Sequence, residues 1–121
     1  MAKKILIIED EIHVSNYLED IFRDHGYATV TASSVEQGLD LAGKEKPDLI
    51  TLDLQMPQGH GTKFYQKLRK DDQFKGTPIV VITGQSSPHR AIQPNKAAAI
   101  VAKPFEPAQL IEVITKVIGP A

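Results

Sequence analysis

The residues in this chain best equipped for chemistry are Glu9 and Asp10, Asp53, Thr83 and Lys103. Each follows a short apolar run: Ile5–Ile8 before the acid pair, Leu49–Leu52 before Asp53, Ile79–Ile82 before Thr83, and Ala98–Ala102 before Lys103. Strands that finish in polar residues put those residues at one edge of a parallel sheet, where open α/β sheets build their sites. Carboxylates gathered there repel one another, by roughly 4 kcal/mol for two at about 4 Å and an effective dielectric of 20. Such a cluster calls for a proton or a cation. Oxygen donors without a cysteine or a paired histidine favour Mg²⁺, with Mn²⁺ or Ca²⁺ as substitutes. Beside a cation, Asp53 is a candidate nucleophile, because carboxylates form acyl phosphates. Lys103 supplies a point charge for phosphoryl oxygens, Thr83 a hydroxyl donor, and Gly84 room for a bulky oxyanion. Each residue also has an ordinary reading. The run Glu9-Asp10-Glu11 can cap a helix, Asp53 can form a turn, Thr83 can cap the next turn, and Lys103 can be a solvated lysine before a proline. The order of all of them at four strand ends is what favours a cation and a transferred phosphoryl group.

The elements that position these residues read as alternating strands and helices, the pattern of βα units on a parallel sheet. The spacing predicts a strand at Lys4–Glu9 and a helix with Val14, Leu18, Ile21 and Phe22 on one face, ending at His25-Gly26. A strand at Tyr27–Thr31 follows, then a helix opened by a Ser33/Glu36 capping box, carrying Val35, Leu39 and Ala42 and stopped by Pro47. The third strand is Asp48–Asp53, and a breaker-rich loop, Gln55 to Gly61, leads to a helix from Thr62 to about Asp72 with Phe64, Tyr65 and Leu68 inward. Strands at Ile79–Ile82 and Ala98–Ala102 and a helix from about Pro107, with Leu110, Ile114 and Val117/Ile118 on one stripe, complete the pattern. Between the last two strands, Ser87-Pro88 can open a helix that Pro94 cuts short, so a short or irregular fourth helix is expected. The fold class is α/β, a flavodoxin-like doubly wound five-stranded parallel sheet of order 2-1-3-4-5, which makes the first and third strands neighbours.

A chain of 121 residues with 41% hydrophobic and 24% charged residues fits one domain spanning 1–121. A formal net charge of −1 lacks the basic excess of a nucleic-acid binder. The absence of cysteine excludes disulfides and thiol chemistry. The apolar stretch after Lys3-Lys4 is too short for a signal peptide, and no run reaches the length of a membrane span, so a cytoplasmic protein is expected. The four histidines (His13, His25, His60, His89) have no metal-ligand spacing and read as surface residues.

Over essentially its whole length the chain resembles the receiver domains of response regulators in bacterial two-component and phosphorelay signalling. The resemblance rests on Ile7-Ile8-Glu9-Asp10-Glu11, Asp53-Leu54-Gln55-Met56-Pro57 with Gly61, Val81-Ile82-Thr83-Gly84, and Lys103-Pro104-Phe105. It implies that Asp53 accepts a phosphoryl group from a sensor histidine kinase or histidine phosphotransfer protein. It also implies Mg²⁺ held by Asp10 directly, by Glu9 through water, by Asp53, and by the backbone carbonyl of Gln55. Lys103 would contact Asp53 and then the phosphoryl group, Thr83 would bond a phosphoryl oxygen, and the Lys103–Pro104 bond would be cis. The donor would dock near Val14, Tyr17, Leu18 and Pro104-Phe105. Output would pass by protein–protein contact to a downstream protein, from a monomer or weak dimer that is not an enzyme beyond its own phosphorylation and dephosphorylation. The chain departs from the family where a Tyr or Phe often stands three residues before the lysine: here it is Ile100, with Pro94 upstream, so a weak or rerouted conformational response is expected.

Three rival readings share the sheet. An Asp-nucleophile phosphatase would want a second acid two residues after the nucleophile, where Gln55 stands. A flavin or nucleotide binder would want a Gly- or hydroxyl-rich first turn, where Glu9-Asp10-Glu11 would repel phosphate. A receiver-like scaffold without phosphorylation would not need the Asp53/Lys103 pair.

Overall fold

The computed structural model describes residues 2–53, 60–71, 74, 76–84 and 98–121, without the side chains of 60–62. Among them lie β1 (Lys4–Ile8), α1 (Ile12–Asp24), β2 (Ala28–Ala32), α2 (Val35–Glu45), β3 (Leu49–Leu52), α3 (His60–Lys70), β4 (Ile79–Thr83), β5 (Ala99–Ala102) and α4 (Pro107–Ile118). The strands form one parallel sheet of order β2-β1-β3-β4-β5, as the sequence predicts. The expected short helix around Ser87-Pro88 and Pro94, and the Gln55 loop, fall outside the described residues.

The sheet is covered on both faces, which is why its inner strands are continuous apolar runs rather than alternating ones. Ile5, Ile7, Leu49, Val80, Ile82 and Val101 meet Leu18, Ile21 and Phe22 of α1 and Leu110 and Ile114 of α4. Leu6, Ile8, Ile50, Leu52, Ile79 and Val81 meet Ala42 of α2 and Phe64, Tyr65 and Leu68 of α3. Gly38 lets α2 approach closely: a Cβ there would lie 2.7 Å from Ile8 Cδ1 and 3.0 Å from Phe64 Cε1.

Local chemistry shifts several boundaries by a residue or two. The cap of α2 is Ser34, not Ser33: its hydroxyl accepts from the Gln37 amide at 3.1 Å, while the Ser33 amide donates to Gln37 Oε1 at 2.9 Å. The box is real but closes on Gln37 instead of Glu36. Lys46, at φ +47°, ends α2 before Pro47. Gly26, at φ +89°, turns the chain after α1 in the left-handed region open to glycine. α3 starts at His60, two residues ahead of the expected start. Among the described residues no helix is long and apolar enough to cross a membrane.

Candidate functional site

The site forms where β1, β3, β4 and β5 end. Three backbone hydrogen bonds continue the ladders one residue past the strands and fix its members. The Glu9 amide donates to Ala32 O at 3.0 Å, the Asp53 amide to Ile8 O at 3.2 Å, and the Lys103 amide to Thr83 O at 3.1 Å. Glu9 and Asp53 are thereby held side by side, and Lys103 beside Thr83, by the sheet itself. Side chains separated by up to 94 residues of chain meet there.

Glu9, Asp10 and Asp53 each place a carboxylate oxygen within 4.8 Å of the others. Glu9 and Asp53 are 3% and 5% exposed, whereas Asp10 faces solvent. Lys103 spans the buried pair, its Nζ donating to Glu9 Oε1 at 3.0 Å and to Asp53 Oδ2 at 3.2 Å. The second oxygen of Glu9 accepts from the Glu11 amide at 3.2 Å. Burial pushes the Glu9 carboxyl up to about 7, with the Asp53 charge adding to the rise and the Lys103 hydrogen bond opposing it. Burial pulls the Lys103 ammonium down, but its hydrogen bond and attraction to Glu9, followed by those to Asp53, leave it above its ordinary value. Thr83 is buried at the end of β4, in register with Ala102. The Lys103–Pro104 bond is cis.

The acid cluster fits a hard divalent cation: its donors are all oxygens, one of them open to water. A cavity of about 210 Å³ opens on its β2 side, lined in part by Glu9, Asp10, Ser15, Thr31 and Gln37. The Gln55 carbonyl lies outside the described residues. Among those described, no histidine joins a cluster of metal-ligating type.

A model of the response regulator receiver domain matches residues 5–115. The chain belongs to the response regulator receiver family. This receiver domain is 28% identical over 123 residues, covering 100% of both chains, to the polar-differentiation response regulator DivK of Brucella anthropi. Among solved structures it is similar to the chemotaxis protein CheY4 of Vibrio cholerae, at 29% identity and a TM-score of 0.88, covering 97% of this chain and 99% of that one. It is also similar to TrrA of Thermotoga maritima, solved in complex with Mg²⁺-BeF, at 28% identity and a TM-score of 0.85, covering 95% and 98%. Receiver domains work in two-component signalling, interact with histidine kinases and downstream effectors, and are not enzymes in the ordinary sense.

The apolar surface beside the site is not quite the expected one. Tyr17 is 47% exposed and stacks on Phe105, ring centroids 6.1 Å apart. Leu18 is 2% exposed and belongs to the core, so it is unavailable to a partner, and Val14 is only partly open. Ile12, not Leu18, is the aliphatic residue of α1 that stands open, at 62% exposed. The signal was present in the sequence, since Ile12 falls off the Val14/Leu18/Ile21 stripe that faces the sheet.

Proposed function

We propose that Asp53 is the phosphoacceptor of this receiver domain and that a phosphohistidine is the donor. The observation carrying this reading is the Lys103 ammonium, which bridges Asp53 and Glu9 within a cluster of three carboxylates. A carboxylate oxygen of Asp53 attacks phosphorus; the new O–P bond forms as the N–P bond breaks, and its electron pair returns to the donor imidazole. The protein's part is positioning and charge. The ladder bond from the Asp53 amide fixes the backbone, and Lys103 orients the side chain and then faces the phosphoryl oxygens. Glu9, Asp10, Asp53 and the Gln55 carbonyl are the groups proposed to hold Mg²⁺, which when bound neutralises carboxylate and phosphoryl charge. Thr83 is proposed to donate its hydroxyl to a phosphoryl oxygen and so couple modification to shape. With Ile100 packed beside β4 instead of a ring, that response is weak or rerouted.

The donor is proposed to dock on Ile12, Tyr17 and Phe105, which lie beside the acids. The setting is proposed to be the cytoplasm, with the domain acting as a monomer or weak dimer. Acetyl phosphate labelling with Mg²⁺, read by intact mass, tests the assignment. One phosphoryl adduct is expected on the wild type, none with a chelator and none on Asp53→Asn. Undiminished labelling of Asp53→Asn would move the acceptor elsewhere.

A further inference from the structure

On the opposite face of the sheet from α1 and α4, α3 breaks the charge pattern of the other described helices. Those three each close an i,i+4 acid–base pair: Glu19–Arg23 at 3.0 Å, Asp40–Lys44 at 3.2 Å and Glu112–Lys116 at 3.3 Å. α3, with sequence HGTKFYQKLRK, holds four cations and no acid. Arg69 is accounted for by the fold: it donates to Phe74 O at 3.1 Å and Thr77 O at 3.0 Å and lies 5.6 Å from the Tyr65 ring centre. Lys63, Lys67 and Lys70 are exposed and fall at i, i+4 and i+7, one stripe of the helix. Among the described residues none of the three forms an ion pair. Like charges at that spacing disfavour a helix, so the stripe adds nothing to folding. It borders a cavity of about 300 Å³ between α2 and α3, lined by Ser34, Val35, Glu36, Lys63 and Lys67.

We propose that this α2–α3 groove docks an acidic segment of a partner protein, its carboxylates spaced to meet Lys63, Lys67 and Lys70 and an apolar side chain set on the half-buried Val35. Charge complementarity selects the occupant. Three lysines spread over about 10 Å of helix are too few for a nucleic-acid footprint, which is built from many phosphate contacts. Glu36, the one acid among the described residues lining the groove, would repel a continuous phosphate backbone but can pair with a basic residue of a polypeptide. A second copy of this chain would have to bind head to tail, which generates open chains unless the rotation closes. The groove opens at the first turns of α2 and α3, which follow the same strand-end edge as the acid cluster, and the cavity beside Glu9 and Asp10 reaches Ser33 and Gln37. Its lysines are not members of that cluster, so the proposal stands whether or not Asp53 is the acceptor.

The test titrates isotope-labelled protein with a helical peptide bearing glutamates at i, i+4 and i+7 and one leucine, and with a scrambled peptide of equal charge. Amide shifts confined to 34–37 and 63–70 are expected with the first peptide. Affinity should fall roughly tenfold or more in Lys63→Glu/Lys67→Glu/Lys70→Glu, with the far-ultraviolet spectrum and acetyl phosphate labelling unchanged. Equal binding of the scrambled peptide would overturn the proposal, as would a short DNA duplex moving the same amides at lower concentration. So would self-association of the wild type that the triple variant loses, which would make a second copy the occupant.

Discussion

Replacing Lys103 by methionine keeps most of the side chain's bulk and removes its charge, and the structure sets the cost. Glu9 and Asp53 are left within 4.8 Å of each other, both nearly buried. At an effective dielectric of 20 that separation corresponds to about 3 kcal/mol of repulsion when both are ionised. The cost depends on pH because Glu9 already titrates near 7 with the lysine present. Near pH 5 Glu9 is protonated in either protein, the repulsion is absent, and the variant lacks chiefly the charge-assisted Asp53 hydrogen bond, about 1.5–3 kcal/mol. Near pH 8.5 the variant must either ionise Glu9 against Asp53 or keep it protonated well above its ordinary range, and about 3 kcal/mol is added to the loss. Urea unfolding followed by circular dichroism, in chelator at both pH values, measures the difference. Millimolar Mg²⁺ at the higher pH should recover much of the lost stability by replacing the missing positive charge. A destabilisation equal at both pH values, or indifferent to Mg²⁺, would refute the reasoning, because the lysine would then act by packing rather than by offsetting two carboxylates.

Glu9→Gln tests the same electrostatics from the other side. The folded pKa of Glu9 is raised from 4.5 to about 7, so the native state binds the extra proton, and metal-free stability falls as pH climbs through that window, by about 3 kcal/mol in all. Chemical denaturation across the window should give a clearly flatter profile for Glu9→Gln than for the wild type. Gly38→Ala should cost about 1–3 kcal/mol by overpacking, because its Cβ would meet Ile8 Cδ1 at 2.7 Å; an unchanged denaturation midpoint would show that α2 can back away. Thr51→Val should raise stability by roughly 1 kcal/mol, since the Thr51 hydroxyl is buried without a hydrogen-bond partner among the described residues; thermal unfolding of the pair reads the sign.

The fold was legible because its inner strands are buried on both faces, which leaves apolar runs too regular to mistake. Its site was legible because polar residues at the ends of such runs can only collect at one edge. What the sequence left ambiguous lies at single-residue scale. Ser33 and Ser34 are chemically equivalent as caps, and only the backbone path shows that Ser34 faces the first turn while Ser33 holds the Gln37 side chain. Leu18 and Ile12 are both apolar and both on α1, but six residues of helix turn their side chains about 120° apart, so Leu18 faces the sheet and Ile12 is left to solvent. The rise of the Glu9 pKa was equally hidden, since it depends on how deeply the strand end is buried rather than on residue type.

The three consecutive acids make the same point about competing readings. A helix cap and a cation site look like alternatives for Glu9-Asp10-Glu11, but the passage from β1 into α1 is so short that each side chain is sent a different way. Glu11 is the cap, accepting from the His13 amide at 3.4 Å. Its own amide donates back to Glu9 Oε2, so the residue that starts the helix also holds the buried carboxylate in place. Asp10, between them, keeps a carboxylate in the cluster while remaining open to solvent. The cap and the site are thus one structure, and losing the Glu11 turn geometry would release the carboxylate that Lys103 is holding from the other side. A run of acids at this junction lets the same few residues both begin a helix and furnish one wall of the carboxylate cluster proposed to hold the cation.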